Sequence, residues 1–151
     1  MKIYIGSDHA GYELKEKLKV FLGGLSYKVE DKGSFAYDPA DDYPDFITPV
    51  AEAVSKEEGS FGIVLGASGE GEEMDANKVE GIRAAEFYGG NMEIVKLARE
   101  HNDANILSLG ARFVSEDEAK EAVKIFLETP FSGEERHKRR IEKISEIENN
   151  N

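Results

Sequence analysis

The fold of this chain is decided by residues 61–72, which read Phe-Gly-Ile-Val-Leu-Gly-Ala-Ser-Gly-Glu-Gly-Glu. The first five residues form a short, continuous apolar run, which is typical of a parallel strand that is buried on both faces. Glycines and small residues follow at once, and they predict a tight loop whose backbone lies open to a ligand. The stretch therefore predicts a central strand and an adjoining ligand loop.

Strand-like and helix-like segments alternate on both sides of this stretch. Further strands are predicted over residues 2–6, 26–31, 82–87 and 104–109. Helices are predicted to end at Gly23-Gly24 and near residue 100, and to cover residues 44–54, 115–128 and about 133–148. Capping-box spacing at Ser115 and at Ser132 predicts the starts of the last two helices. We expect one domain over residues 1–151, an α/β fold built as a three-layer α/β/α sandwich around a five-stranded parallel, Rossmann-like sheet.

Composition excludes several classes of protein. A net charge of −12 disfavours an extended contact with nucleic acid or with an anionic membrane. Cysteine is absent, so disulfides, thiolate metal ligands and a cysteine nucleophile are excluded. No apolar run reaches the ~18 residues of a membrane span, and the first residues resemble a strand rather than a signal peptide. We expect a cytoplasmic protein that binds neither nucleic acid nor membranes.

Two loops are expected to share a ligand crevice, namely residues 6–11 and 66–72. They follow the first and third strands, and ligands bind beyond the carboxyl ends of parallel strands where the strand order reverses. This placement requires a strand order that begins 2-1-3. Asp8 and His9 in the first loop are ambiguous when taken alone, because an Asp after a strand is often only a helix N-cap.

The second loop has two interpretations. Its backbone amides can form an anion-binding concavity, although it is neither a Walker loop nor a dinucleotide fingerprint. Glu70, Glu72 and Glu73 could simply stabilise a helix N-terminus. Alternatively, the amides receive negative charge on a substrate oxygen while one carboxylate acts as a base.

Basic residues concentrate near the C-terminus, where Arg136, Arg139 and Arg140 are three of the six arginines. Arg136 and Arg140 share a helical face with Lys143 nearby, an arrangement that costs stability unless an anion such as phosphate binds there. The alternative is a solvated helix that is paired with its many glutamates. No metal or other cofactor is expected, because the three histidines form no H-x-x-x-H or H-x-x-E-H pattern.

Eight short motifs occur in order along the chain. They are Asp-His-Ala-Gly at 8–11, Asp-Tyr-Pro-Asp at 42–45, the loop 66–72, Ala-Asn-Lys at 76–78, Gly-Ile-Arg-Ala-Ala at 81–85, Arg-Glu-His-Asn at 99–102, Leu-Gly-Ala-Arg at 109–112, and Arg136-His137 with Arg140. Together they resemble the type B ribose-5-phosphate isomerases and the related galactose-6-phosphate isomerase subunits. The resemblance covers nearly the whole chain. It implies metal-free interconversion of ribose 5-phosphate and ribulose 5-phosphate through an enediolate, a step of the pentose phosphate pathway.

The resemblance also implies roles for particular residues. Glu72 would abstract the proton, His101 would donate a proton for ring opening, and Asp8 would assist with His9 at the sugar. The remaining substrate-contacting residues would be Tyr43 in the pocket wall, the amide cradle Ala67, Ser68, Gly69, Glu70 and Gly71 with Ser68 beside the reacting atoms, Asn102 next to His101, and Arg112, Arg136 and Arg140 at the phosphate.

Two departures from the family pattern matter. Many members carry the catalytic base on a cysteine at the position of Gly66, whereas a second branch has a glutamate where this chain has Glu72. This chain resembles the glutamate branch. The stretch 87–92 is slightly longer than usual, so isomerisation of a six-carbon sugar phosphate, such as allose or galactose 6-phosphate, remains an alternative. A non-catalytic sugar-phosphate-binding module is another.

The order of residues along the chain predicts a shared active site. Asp8, Glu72 and Arg112 each follow a strand, whereas His101 and Asn102 precede the last one and should lie at the opposite edge of the sheet, roughly 20 Å away. We expect a homodimer, or a tetramer, in which Glu72 of one chain meets His101 of another. The alternative is that His101 only closes a helix C-terminus.

Overall fold

A computed structural model describes residues 1–150, which contain five strands and six α-helices. The strands are β1 (Lys2–Ser7), β2 (Lys28–Asp31), β3 (Phe61–Gly66), β4 (Ala84–Phe87) and β5 (Ile106–Gly110). The helices are α1 (Tyr12–Gly24), α2 (Pro44–Lys56), α3 (Glu70–Ala76), α4 (Glu93–Glu100), α5 (Glu116–Glu128) and α6 (Glu135–Asn149). Asn151, which the predicted domain includes, lies outside the described residues.

The five strands form one parallel sheet in the order β2-β1-β3-β5-β4. This order begins 2-1-3, as the placement of the two ligand loops requires. Ser7 pairs with Leu65, so β1 and β3 end side by side. The loops that follow these strands therefore share one crevice at the carboxyl edge of the sheet.

Both faces of the sheet are covered, which confirms the predicted sandwich. On β1, Ile3 and Ile5 point into a core that includes Leu18 of α1 and Phe126 of α5. Tyr4, between them, points to the opposite face, where α2 and α3 pack. Each fully buried Leu, Ile or Phe contributes about 1.5–3 kcal/mol, so the two cores stabilise the edge that carries the ligand loops.

Several boundaries differ from prediction for local reasons. β2 begins two residues late because Ser26 (φ 69°) adopts a left-handed turn that a strand cannot include. β5 also begins two residues late, shortly after a left-handed turn at Asp103 (φ 47°). The capping box at Ser115 is present. The one predicted at Ser132 is wrong: Glu134 is the N-cap of α6, and the Ser132 hydroxyl accepts a hydrogen bond from the Glu134 amide in the preceding turn.

Within residues 1–150, no helix combines the length needed to cross a bilayer with a sufficiently apolar sequence.

Candidate active site

The loop after β3 is tied to the loop after β5 by backbone hydrogen bonds. The Ala111 amide donates to the Gly66 carbonyl at 2.8 Å, and the Arg112 amide donates to the Ala67 carbonyl at 3.0 Å. Gly110 permits this approach, since a Cβ there would lie 2.5 Å from the Ser68 carbonyl oxygen. Arg112 is thereby held beside the glycine-rich loop.

Glu72 lies in the first turn of α3 and is only 4% exposed. Its carboxyl group packs against Gly66 so closely that a Cβ at position 66 would overlap it. Burial is the main reason that the pKa of Glu72 is raised, and the charges of Asp8 and Asp75 raise it further. A hydrogen bond from its own backbone N–H lowers the pKa but does not cancel the rise. Such a carboxylate is a stronger base than an exposed glutamate.

The turn between β3 and α3 shapes the predicted amide cradle. Gly69 has φ +84°, a left-handed conformation that suits glycine, and it is the N-cap of α3. The Ser68 hydroxyl accepts from the Glu70 amide at 3.2 Å, which stabilises the turn. Tyr43 covers Gly71, where a Cβ would lie 2.7 Å from the tyrosine Cζ. The predicted pocket residue Tyr43 therefore does reach the loop.

Asp8 and His9 lie next to this loop, at the carboxyl end of β1. Asp8 Oδ1 accepts from the Ala10 amide at 3.0 Å, so Asp8 caps the short 3₁₀ helix His9–Gly11, as the simpler interpretation of the sequence held. It also lies close enough to Glu72 to raise the pKa of that carboxyl group. The residue therefore combines a structural cap with an electrostatic effect on the candidate base.

A residue that the sequence did not indicate holds His9. Asp41 Oδ1 lies 2.7 Å from His9 Nδ1 and also accepts from the His9 amide at 3.2 Å. The hydrogen bond to Asp41 is the main reason that the pKa of His9 is raised. Asp41 lies in an acidic loop 32 residues away along the chain, so no spacing could have linked the two.

Within residues 1–150, one group of side chains is close enough to hold a cation. Asp8, His9 and Asp41 offer ligand atoms that all lie within 4.8 Å of one another. Histidine-pair motifs do not describe this group, because it has one imidazole and two carboxylates. The hydrogen bond between His9 and Asp41 joins two of these ligand atoms directly.

Arg112 extends the site along the same edge of the sheet. It is exposed and lines a cleft with His9, Ala10, Glu13 and Tyr37. Its charge lowers the pKa of His9, although Asp41 outweighs that effect. Two basic groups thus converge on one cleft, an arrangement that suits an anionic ligand.

A second cluster of predicted site residues lies elsewhere. His101 is the C-cap of α4, and its ring stacks on His137 of α6 with 4.3 Å between ring centroids. His137 is 5% exposed, and burial is the main reason that its pKa is lowered. Asn102 follows, and its carbonyl accepts from Arg83 Nε at 2.9 Å. Arg136 is exposed beside Glu134 at 3.4 Å.

The two clusters occupy opposite edges of the sheet. Glu72 and Arg112 follow β3 and β5, whereas His101 precedes β5, whose five residues span roughly 16 Å at ~3.3 Å each. Helix α6 also lies at the amino edge, because Glu148 near its end accepts from the amide of Gly81, which precedes β4. Within one chain, therefore, neither His101 nor the arginines of α6 meet Glu72.

Known proteins resemble this chain over almost its full length. Residues 3–144 match the sequence model of the family described as Ribose/Galactose Isomerase. Ribose-5-phosphate isomerase B of Mycobacterium leprae is 43% identical over 148 residues, which cover 98% of this chain and 90% of the relative.

Solved structures also match. Ribose-5-phosphate isomerase B of Clostridium thermocellum superposes with a TM-score of 0.93 at 47% identity, covering 99% of each chain. Ribose-5-phosphate isomerase B of Mycoplasma genitalium, solved with bound ribulose 5-phosphate, gives a TM-score of 0.94 at 40% identity. That match covers 99% of this chain and 97% of the other.

Proposed function

This chain belongs to the Ribose/Galactose Isomerase family, and on that basis we propose that it interconverts ribose 5-phosphate and ribulose 5-phosphate. Relatives named ribose-5-phosphate isomerase B match nearly its full length, and one of them has been solved with ribulose 5-phosphate bound. The observation that carries the proposal is the buried carboxyl group of Glu72, which lies against Gly66 at the start of the glycine-rich loop.

Glu72 is the proposed base. It removes the proton from C2 of the open-chain aldose and returns it to C1, while the proton of the C2 hydroxyl is transferred to the oxygen on C1, and the aldose becomes the ketose. Negative charge develops on the carbonyl oxygen as the enediolate forms, and backbone amides of residues 67–71 stabilise it. Fixed donors of this kind contribute several kcal/mol without the help of a metal. The raised pKa of Glu72 brings its basicity closer to that required near neutral pH.

The remaining residues of the carboxyl-edge cluster bind and orient the sugar. Asp8 and His9 contact its hydroxyl groups, and the hydrogen bond to Asp41 fixes the orientation of the His9 ring. Tyr43 closes the pocket above Gly71. Orientation matters because a small displacement of the reacting carbon lowers the rate steeply.

The phosphate site and the ring-opening acid require a second chain. Arg112 lies at the carboxyl edge, whereas Arg136, Arg140 and His101 lie at the amino edge, so one phosphate cannot contact all three arginines of a single chain. A two-fold dimer would bring the amino edge of one chain to the carboxyl edge of the other. Exposed isoleucines on α6, Ile144 (48%) and Ile147 (62%), support such an interface. The dimer, or a tetramer of such dimers, is part of the proposal, as is a cytoplasmic location.

A coupled assay tests the function. The parent enzyme is expected to turn over ribose 5-phosphate with a kcat/KM at least about tenfold above that for allose 6-phosphate, since each substrate must fit one fixed distance between Glu72 and the phosphate site. A reversed preference would show that the substrate is a six-carbon sugar phosphate. If both compounds bind without turnover, the chain is a sugar-phosphate-binding module and not an enzyme. The bend at Gly89-Gly90, where both φ angles are positive, is the segment to exchange if the preference is reversed.

A further inference from the structure

Glu86 is a half-buried glutamate whose two carboxyl oxygens are buried, and the proposed mechanism leaves it unused. It lies on β4 opposite Ser108 of β5 in the parallel register, so both side chains leave the same face of the sheet. The Glu86 carboxyl group packs directly under the turn of the glycine-rich loop. A Cβ at Gly69 would lie 2.7 Å from each of its two oxygens.

Ser108 connects this part of the sheet to the loop. The fully buried Ser108 hydroxyl donates to the Gly69 carbonyl at 2.7 Å, and that carbonyl also accepts from the Glu73 amide at 2.9 Å. A hydroxyl has one proton to donate, but its oxygen can still accept. Both oxygens of Glu86 are buried and have no hydrogen-bond partner among residues 1–150. A neutral Glu86 can donate to the Ser108 oxygen, whereas an ionised Glu86 can only compete for the Ser108 proton.

The surroundings of Glu86 favour the neutral acid. Burial contributes most to raising the pKa of Glu86 to about 8, and the charges of Glu70, Glu73 and Glu72 on α3 raise it further.

On the other elements that pack against Glu86, no positive charge offsets the rise in its pKa. From α4 the neighbouring groove receives only apolar side chains, namely Ile94, Val95, Leu97 and Ala98. Arg83, at the start of the same groove, directs its guanidinium to the carbonyls of Asn102 and Asp103. Within residues 1–150, no basic group forms an ion pair with Glu86.

We propose that Glu86 is a positioning residue for the isomerase reaction: as a neutral acid it donates to Ser108, Ser108 donates to the Gly69 carbonyl, and this chain of hydrogen bonds holds the loop that receives the enediolate oxygen. Loss of the Glu86 proton to solvent draws the Ser108 proton away from Gly69. It also places a negative charge beside a loop that must stabilise another one. The inference rests on the proposed function, because it assigns the amides of residues 67–71 to the reacting oxygen.

The test measures kcat for ribose 5-phosphate against pH, from about pH 6 to pH 10, in the parent, Glu86→Gln, Glu73→Gln and Ser108→Ala. In the parent, kcat is expected to fall about tenfold or more with a midpoint near pH 8. Glu86→Gln, whose amide stays neutral and can still donate to Ser108, keeps kcat at pH 7 within about threefold and loses the alkaline decline. Glu73→Gln keeps the decline but moves it to lower pH, and Ser108→Ala lowers kcat at pH 7 with little change in KM.

A second measurement does not depend on turnover. In protein labelled with ¹³C at the glutamate carboxyl carbons, the resonance that is missing from Glu86→Gln is expected to titrate near pH 8, and the backbone amides of residues 69–73 should shift with the same midpoint. An ordinary glutamate midpoint, loop amides that do not follow it, or an alkaline decline that persists in Glu86→Gln would overturn the inference. A parent enzyme that is inactive on ribose 5-phosphate would refute the proposed function, and the titration would still decide whether Glu86 controls the loop.

Discussion

The carboxyl group of Glu72 occupies the space that any side chain at position 66 would need. The two positions lie in different elements, at the end of β3 and in the first turn of α3, yet only one of them can carry a functional group into this part of the crevice. The resemblance described above implies that other members of the family, outside the glutamate branch, carry the base on a cysteine at the position of Gly66. A base on either element would therefore act from nearly the same place.

This relationship predicts that the base can be moved from α3 to β3. Glu72→Ala should be nearly inactive, and adding Gly66→Cys to it should raise kcat at least about tenfold above that of Glu72→Ala. Gly66→Cys alone forces the thiol against Glu72 and should lower the free energy of unfolding by about 1–3 kcal/mol. The measurements are steady-state kinetics and urea denaturation of the three variants. A double variant no more active than Glu72→Ala would show that the two positions are not equivalent.

The acid limb of the pH profile should respond to Asp75. Glu72 must be ionised to act as a base, so kcat/KM falls as the pH drops through its pKa, which burial and the charge of Asp75 both raise. Asp75→Asn removes the charge, while the Asn side-chain oxygen can still accept the hydrogen bond from Thr48. The limb should move to lower pH by a few tenths of a unit. Asp117→Asn, the same change at an exposed residue of α5, should leave the limb in place, and an equal shift in both variants would disprove the assignment.

The arginines of α6 should contribute to phosphate binding. Arg140→Ala is expected to weaken substrate binding by about 1.5–3 kcal/mol, the scale of a charge-assisted hydrogen bond. Competitive inhibition by inorganic phosphate should weaken in parallel. Lys138→Ala removes an exposed positive charge from another face of the same helix and is the control for net charge. If phosphate inhibits the parent and both variants equally, the phosphate site lies elsewhere.

Mixed dimers test the shared active site. Glu72→Gln and His101→Ala are each expected to be inactive as pure proteins, and unfolding and refolding a mixture produces about half hybrid dimers by random pairing. In each hybrid one site combines an intact Glu72 with an intact His101, so about a quarter of the parental activity should return. If native mass spectrometry shows hybrids but no activity appears, the two residues do not act in one shared site.

Much of this architecture is predictable because it depends on local patterns. The apolar run at residues 61–65 and its counterparts are strands in the structure, and the loop that follows lies at the carboxyl edge, as parallel topology requires. The Ser115 capping box is present for the same reason, since its hydrogen bonds join residues three apart. The failure at Ser132 shows the limit of such patterns, because Gly133 has φ +72° and turns the chain before the helix can begin.

Other features could not be predicted from the sequence because they depend on residues that are far apart along the chain. Asp41 reaches His9 across 32 residues, and Ser108 reaches Gly69 across 39. The stack of His101 on His137 joins α4 to α6, so no spacing within one helix could indicate it. Glu86 lies in a strand between apolar residues, where a single acid gives no sign of the elements that will cover it.

The most direct test of the account is the turnover of ribose 5-phosphate by Glu72→Gln. Glutamine preserves the size of the side chain and removes its basicity, so kcat should fall by about two orders of magnitude or more while inhibition by inorganic phosphate stays nearly unchanged. Glu73→Gln, one residue along the same helix, should be much milder at neutral pH and serves as the matched control. A Glu72→Gln enzyme that keeps more than about half of the parental kcat would contradict the central claim that Glu72 is the base.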